Sequence, residues 1–224
     1  MMTSIPSPTA ADARHVSRRH VLFGLGILAA GAGLARPALA ALPAEDVQRV
    51  EAYLNGLTTL EARFTQINPN GSTSRGLLFM RRPDALRLQY DRPSRVLMIA
   101  SEGRLTYSDP AMNQQTSLSV EDTPLSILLR PRIDLDEGVR VTDMLRQNDE
   151  LQLRVVPTSA KVQGSLTLVF GDRPFELRRW AVVDAQGLVT QVMLEQVQTG
   201  VELDEQIFRF RNPKIWGPNA NALP

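Results

Sequence analysis

The stretch FMRRPDALRLQYDRP (residues 79–93) sets the pattern from which the fold can be read. From Leu86 to Tyr90 an apolar residue occupies every second position, which is the period of a strand with one buried face. Two Arg-Pro pairs bracket this strand. Arg81 and Arg82 therefore stand at the start of a strand that turns an apolar face inward.

Other segments of the chain alternate in the same way or are rich in β-branched and aromatic residues. Turn-forming sequences such as NPNGSTSRG, SEG and GDRP separate them. Together they predict a run of antiparallel strands. The eleven predicted strands are LEARFTQI, GLLFMR, LRLQY, VLMIA, RLTYSD, QTSLSV, LQLRVV, SLTLVF, LRRWAVVD, LVTQVMLEQV and QIFRFR.

Two segments have helical rather than strand character. AEDVQRVEAYLNGL (44–57) has apolar residues at helical spacing and acidic residues in its first turn, so it predicts one amphipathic helix that opens the fold. TPLSILLRPRIDLDEG (123–138) contains a short helix that is apolar on nearly every face, with Pro124 in its first turn and Pro131 ending it. Such a helix must be buried on the sheet, either as a lid or as an ordinary core connection.

Residues 1–40 have the organisation of an export signal. Arginines precede the fourteen-residue apolar run VLFGLGILAAGAGL, and an Ala-x-Ala exit follows it. A membrane-spanning helix would need about 20 apolar residues, and an uncleaved anchor is the alternative. SRRHVLF resembles the twin-arginine signal, with Val21 and Phe23 in place of the usual Phe and Lys, so the general secretory and twin-arginine routes both stay open. Cleavage after Ala40 would leave residues 41–224 as a single domain.

Cleavage would also remove both histidines, and the chain has no cysteine. The four arginines and one aspartate of the signal would leave with it, so the mature chain has 21 basic and 23 acidic residues and a formal charge of −2. This composition excludes Ser-His-Asp and Cys-His catalysis and gives no broad electrostatic case for nucleic acid. No glycine-rich phosphate loop opens a helix.

A carboxylate pair is the one enzymatic alternative that composition leaves open. Its candidates lie in polar, turn-like sequence where solvated surface acids are the ordinary interpretation. These candidates are Asp134, Asp136, Glu137 and Asp184.

In their order and spacing, residues 44–213 resemble a known family, the periplasmic outer-membrane lipoprotein carriers or LolA-like proteins. LEARFTQ resembles the segment after that family's first helix, and RRPDALRLQYDRP resembles its arginine-proline strand. SEGRLTYSDPAMNQ is similar to a turn and strand of the family, and TPLSILL to its lid helix. WAVVDAQGLVTQVMLE and FRFRNP are similar to its last hairpin and closing strand.

The resemblance implies a mainly β fold with a helical lid. The expected architecture is an incomplete, strongly curved antiparallel β-barrel of about eleven strands, capped by an N-terminal helix and short internal helices around an apolar cavity. It implies a monomeric periplasmic carrier without cofactor, metal or catalytic activity. Such a carrier takes acylated lipoproteins from an inner-membrane lipoprotein-releasing complex and hands them to an outer-membrane lipoprotein acceptor.

By family position, Arg82 is expected to hold the lid closed through backbone carbonyls at the end of the lid helix, since a guanidinium offers five donors. From sequence alone, a solvent-facing residue that positions a turn is the alternative. Leu86 and Leu88 stand where many family members carry Phe and Trp. The residues expected to line the acyl-chain cavity are Leu54, Leu86, Leu88, Tyr90, Leu125 and Leu128.

A binding or sensor module of the same fold, for another lipid ligand, is the competing hypothesis. Sensors that resemble this fold usually bring a second domain or an anchor, and the sequence predicts neither. Another lipid as cargo is harder to separate from a lipoprotein on sequence grounds.

Overall fold

A computed structural model describes residues 43–217 and 219–223. The predicted export signal, residues 1–40, lies outside the described residues. The described chain folds into one open, curled antiparallel sheet of eleven strands with a few short helices. The predicted incomplete β-barrel with an N-terminal helix is therefore confirmed.

Three short helices accompany the strands: α1 (Ala44–Gly56), α2 (Ser126–Leu129) and α3 (Pro213–Trp216). Two 3₁₀ turns lie at Val120–Asp122 and Glu205–Phe208. The strands are β1 (Thr59–Ile67), β2 (Thr73–Arg81), β3 (Ala85–Tyr90), β4 (Leu97–Ser101), β5 (Arg104–Asp109), β6 (Gln114–Ser119), β7 (Val139–Gln147), β8 (Glu150–Pro157), β9 (Ser165–Asp172), β10 (Phe175–Val183) and β11 (Val189–Thr199).

The strand order is β6-β5-β4-β3-β2-β1-β11-β10-β9-β8-β7, so β6 and β7 are the two edges. Because every pair is antiparallel, alternate connections lie at the same end of the sheet. We call the end with the β1–β2, β3–β4, β5–β6, β8–β9 and β10–β11 connections the upper end. The opposite, lower end carries the β2–β3 and β4–β5 turns.

Helix α1 packs its apolar stripe on the sheet. Val50 and Leu54 are fully buried in the main core, and Tyr53 stacks edge-on against Phe170 and Phe175 at centroid distances of 5.6 and 5.7 Å. Edge-to-face aromatic pairs stabilise a core beyond the area that they bury. The helix is thereby fixed against β9 and β10.

The lower end of β9 is also tied to α1 by charge. Asp172 accepts hydrogen bonds from Arg49, at 2.6 Å, and from Arg146, at 2.8 Å. The hydrogen bond from Arg146, followed by that from Arg49, lowers the pKa of the Asp172 carboxyl from its ordinary value.

Residues 120–138, here called the lid segment, connect the two edge strands. The segment contains the first 3₁₀ turn and α2, and all four residues of α2 are buried. Asn55 of α1 holds it with two hydrogen bonds of 2.8 Å to the main chain of Ile133, and Glu51 accepts from the Leu135 N–H at 2.7 Å. In this structure the segment is therefore packed into the core and is not a loose loop.

The outer face of β2–β4 is covered by the C-terminal residues. Phe79 and Ala85 of the sheet pack there against Ile207 and Phe208. Next to this small cluster Arg87 is only 1% exposed, and burial lowers its pKa to about 10.

Arg87 holds the C-terminal residues through neutral acceptors. It donates to the Ile207 carbonyl at 2.5 Å and also to the Asn221 carbonyl and the Gln89 amide oxygen. These hydrogen bonds tie the C-terminal residues to the outer face of the sheet.

One strand predicted from the sequence was wrong, and one observed strand was missed. QIFRFR was predicted as the last strand, but residues 205–208 form a 3₁₀ turn that Asp204 caps by accepting the Gln206 N–H at 2.8 Å. Ile207 and Phe208 are both buried although they are adjacent, which a strand with one buried face does not allow.

Strand β7 was not predicted. As an edge strand it is mostly exposed, so it has little apolar alternation. The sequence did contain a turn-forming pair, Asn148-Asp149. Both residues have positive φ and form the two-residue hairpin turn between β7 and β8.

Candidate functional site: an apolar cavity under the lid segment

The concave face of the sheet lines a partly open cavity of about 630 Å³. Its walls come from both halves of the sheet and from the lid segment. The apolar wall residues are Leu86, Leu88, Met98, Leu105, Leu118, Pro124, Leu125, Trp180, Val182, Ala185 and Val192. Because adjacent side chains of a strand point to opposite faces, β3, β10 and β11 each supply two residues at alternate positions to the lining.

Polar groups lie at the rim. Lys161 and Gln163 come from the β8–β9 connection, and Asp184 and Gln186 from the β10–β11 turn, so the cavity extends to the upper end of the sheet. Asp184 caps its own turn by accepting the Gln186 and Leu188 N–H groups, both at 2.9 Å. An apolar pocket with a few polar groups at its edge is the usual form of a ligand site.

The structure brings three of the predicted cavity residues together on this wall: Leu86, Leu88 and Leu125. Leu54 and Leu128 are each 1% exposed and belong to the main core beside the cavity, not to its wall.

Tyr90 also lies outside the cavity wall and lines a separate cleft at the upper end of the sheet instead. Its ring packs edge-on against Phe64 at 5.1 Å, and its hydroxyl donates to the Gln66 amide oxygen at 2.7 Å. Burial raises the pKa of Tyr90 to about 12, partly offset by the hydrogen bond with Gln66. Gln66 itself lines the cavity, so Tyr90 fixes the orientation of a polar wall residue.

Arg82 lies in the β2–β3 turn at the lower end and bridges two helix ends. Its guanidinium donates to the carbonyl of Leu54, in the last turn of α1, and at 2.6 Å to the carbonyl of Arg130, which ends α2. Carbonyls at helix ends have no partner within the helix, so a guanidinium satisfies both at once. Burial lowers the pKa of Arg82 from its ordinary value.

The neighbouring turn residue reinforces this link. The Asp84 N–H donates to the carbonyl of Leu129 at 3.1 Å, and the Asp84 carboxylate accepts the Gly103 N–H at 3.2 Å. The end of α2 is thus held by two consecutive points of the same turn.

Arg81 is oriented to the other side of the sheet. Its guanidinium pairs with the Glu205 carboxylate at 2.6 Å and lies 5.7 Å from the centre of the Phe208 ring. The two adjacent arginines therefore serve different elements: Arg82 contacts α1 and the lid segment, whereas Arg81 contacts the C-terminal residues.

The wall residues that sequence reasoning missed come mainly from the second half of the sheet. Trp180 and Val182 of β10 and Val192 of β11 face Leu86 and Leu88 across the cavity. Their alternation was visible, but pairing of β1 with β11 is what curls the two halves toward each other. Within residues 43–217 and 219–223, no group of three or more His, Cys, Asp or Glu side chains is arranged to hold a metal ion. No helix in the same ranges is long and apolar enough to cross a membrane.

A single antiparallel sheet that curls around an apolar cavity, with a helical segment across it, defines a class of mainly β proteins built to surround a hydrophobic ligand. The model of the family described as "Outer membrane lipoprotein carrier protein LolA" matches residues 55–211. The chain belongs to this family, and the predicted family is confirmed.

Relatives named "Outer-membrane lipoprotein carrier protein" give the same assignment. One from Methylococcus capsulatus is 26% identical over 174 residues, covering 74% of this chain and 83% of its own. Another from Pseudomonas aeruginosa is 27% identical over 195 residues, covering 83% of this chain and 91% of its own.

Among solved structures, a LolA superfamily protein from Nitrosomonas europaea covers 73% of this chain and 97% of its own, at 10% identity and a TM-score of 0.41. That structural likeness is loose, and the family assignment rests on the sequence matches.

Proposed function

We propose that this protein is a monomeric periplasmic carrier that binds the acyl chains of lipoproteins in its apolar cavity and shuttles them from the inner to the outer membrane. It receives its cargo from an inner-membrane lipoprotein-releasing complex and passes it to an outer-membrane lipoprotein acceptor, without catalysing a reaction. The observation that carries the proposal is the apolar cavity of about 630 Å³ between the concave sheet and the lid segment. Membership of the carrier family supports the choice of cargo.

The energetic need for a cavity follows from the cargo. Transferring an acyl chain to water costs about 0.8 kcal/mol per methylene. A soluble carrier must therefore offer an apolar surface of its own, and the leucine, valine and tryptophan side chains of the wall are suited to this.

The volume of the cavity implies that it opens during loading. An apolar cavity of about 150 Å³ accommodates one benzene molecule. The observed cavity is about four times larger, so by volume it suits about one fatty acyl chain rather than the three chains of a fully acylated lipoprotein. Movement of the lid segment away from the sheet would supply the remaining space.

Arg82 is placed to control that movement. Its two hydrogen bonds connect the ends of α1 and α2, and this connection would be broken if α2 moved away. We assign to Arg82 the role of a lock that favours the closed, empty state. Cargo binding then has to oppose these bonds, and unloading regains them.

Binding of a hydrophobic fluorescent dye, and its displacement by a triacylated peptide, tests the proposal. We expect near-stoichiometric dye binding and full displacement by the peptide, but no displacement by the same peptide without acyl chains. Leu88→Glu should weaken dye binding about tenfold or more, because a carboxylate in an apolar cavity is unpaired or has to be neutralised.

Leu145→Glu is the matched control, since Leu145 is half exposed on the edge strand β7 and does not line the cavity. Dye binding by this variant should equal that of the wild type. If the wild type binds neither dye nor acylated peptide, the carrier proposal is wrong.

A further inference from the structure

The exposed apolar side chains of the described residues are unevenly distributed. Most of them lie at the upper end of the sheet or beside it, and the exceptions are Leu118 of β6 and Leu145 of β7, both near the lower end. Met112 is at the tip of the β5–β6 turn and is 73% exposed. Leu188 and Val189 are at the start of β11, and Ile215 and Trp216 of α3 are 75% and 67% exposed.

Helix α3 meets the upper end of the sheet at a shallow cleft of about 370 Å³. Arg92 and Arg95 of the β3–β4 connection, Asn113 of the β5–β6 turn and Lys214 of α3 all line this cleft. Met112 is next to Asn113, and Ile215 is next to Lys214. Exposed apolar side chains therefore flank a cleft with three cations.

These three cations are exposed, and none of them forms an ion pair with a carboxylate within residues 43–217 and 219–223. The neighbouring acids are already engaged. Asp91 pairs with Arg63, and the nearly buried Asp109 accepts the N–H groups of Ala111 and Met112 at 3.0 and 3.3 Å. The cleft and its surroundings therefore offer positive charge to a partner.

We propose that this upper end is a membrane-docking surface, in which the apolar tips enter the interfacial region of a bilayer and the cations of the cleft contact anionic phospholipid headgroups. Tryptophan is enriched at membrane interfaces because its ring is apolar and its N–H is polar. Basic residues beside apolar ones add electrostatic attraction to anionic lipids.

A bilayer fits these side chains better than a folded protein partner does. Met112 protrudes from the β5–β6 turn, whereas Ile215 and Trp216 protrude from α3, so the apolar tips come from two different elements. A fluid interface receives protruding side chains at any spacing, whereas a rigid partner would need a matching set of pockets.

The cavity and the proposed docking surface share the upper end of the sheet. Residues of the β8–β9 and β10–β11 connections line the cavity and also belong to the upper end. A protein docked through the upper end would turn that side of its cavity toward the lipid. The docking surface is independent of the proposed cargo, because a protein that binds no lipoprotein could still bind vesicles through it.

Flotation with lipid vesicles tests the proposal, using the protein in the form that the cell produces, with its N-terminus determined by mass spectrometry. We expect the wild type to float with phosphatidylglycerol vesicles, not with pure phosphatidylcholine vesicles, and to be released as the salt concentration rises. Arg92→Gln with Arg95→Gln should weaken binding about 25-fold, from about fivefold for each cation. Ile215→Ser with Trp216→Ser should weaken it roughly tenfold or more.

Matched controls lie near the lower end, where Arg104 and Leu145 are both exposed. Arg104→Gln with Leu145→Ser should bind vesicles like the wild type. Tryptophan emission provides a second readout: it should shift to shorter wavelength with vesicles, and this shift should disappear in Trp216→Ser although Trp180 remains.

Three results would overturn the proposal. The first is that the wild type does not bind phosphatidylglycerol vesicles. The second is that the control substitutions weaken vesicle binding as much as the upper-end substitutions do. The third is a wild type that binds an immobilised poly-glutamate peptide but no vesicle, which would assign the surface to an acidic protein partner.

Discussion

Replacing Arg82 with leucine should slow the release of cargo more than it affects capture. The substitution removes the donors to the carbonyls of Leu54 and Arg130, which join the end of α1 to the end of α2. Leucine keeps part of the apolar stem but has no hydrogen-bond donor. The closed state loses these contacts, whereas an open state in which they are already broken loses much less.

The size of the effect follows from the two bonds and from the cost of burying the charge. A hydrogen bond from a charged donor contributes about 1.5–3 kcal/mol. The guanidinium is partly desolvated, and its buried Nε has no acceptor among the described residues. We therefore assign to the two hydrogen bonds together the free energy of one such bond. A loss of about 1.5–3 kcal/mol moves the open–closed equilibrium roughly 10- to 100-fold toward the open state.

The assay is the rate at which purified, cargo-loaded carrier passes lipoprotein to its acceptor. A larger open population raises the apparent affinity for cargo, so transfer by Arg82→Leu should be slower while loading is retained. Arg82→Lys keeps the charge but not the fork that reaches two carbonyls, and should be intermediate.

Arg81→Leu is the internal control. Arg81 contacts Glu205 and Phe208 on the other face of the sheet, so its loss should leave transfer close to the wild-type rate. If Arg82→Leu unloads at the wild-type rate, or if Arg81→Leu is the slower variant, the lock is assigned to the wrong residue or does not exist.

Three further predictions concern stability, each measured by urea unfolding. Asp172→Asn should reduce the free energy of unfolding above pH 4 and make it less dependent on pH in acid. The hydrogen bond from Arg146 lowers the folded-state pKa of Asp172, so this carboxylate stabilises the fold above its unfolded pKa of about 3.9. That stabilisation is lost as the pH falls through the folded-state pKa. Arg87→Met should cost about 2–3 kcal/mol by leaving buried carbonyls without a donor, and should speed proteolysis of the C-terminal residues. Gly76→Ala should cost about 3 kcal/mol or more, because the new Cβ would lie 2.1 Å from a main-chain oxygen of β3, whereas Gly56→Ala meets nothing within 4 Å and should be nearly neutral.

Most of the fold could be predicted from the sequence because one face of most strands is buried. Alternation from Leu86 to Tyr90 placed β3 correctly, and helical spacing placed α1 within one residue of its observed end. The exposed edge strand β7 was not predicted because it has no buried face, so apolar and polar residues do not alternate along it. The turn at Glu205–Phe208 was mistaken for a strand because its segment is rich in apolar and aromatic residues, as strands are, although it buries adjacent residues on the outside of the sheet.

The site was less predictable than the fold. Strand alternation identifies Leu86 and Leu88 as inward-facing, but it does not tell an inward residue on the cavity wall from one in the solid core, such as Leu54. That distinction depends on how far the sheet curls. Arg87 was not singled out, because a charged residue at an outward position is ordinarily solvated, and only the folded C-terminal residues bury it.

The unpaired edges β6 and β7 have a mechanical consequence. In a closed barrel, widening the lumen would break a ladder of inter-strand hydrogen bonds along the full length of a strand. Here the two margins are joined through residues 120–138, so they can move apart by hinging the chain while every strand pair stays intact. The volume of the cavity can therefore adjust to ligands of different size without breaking hydrogen bonds between strands. The energy needed to bend the sheet is distributed over its eleven strands.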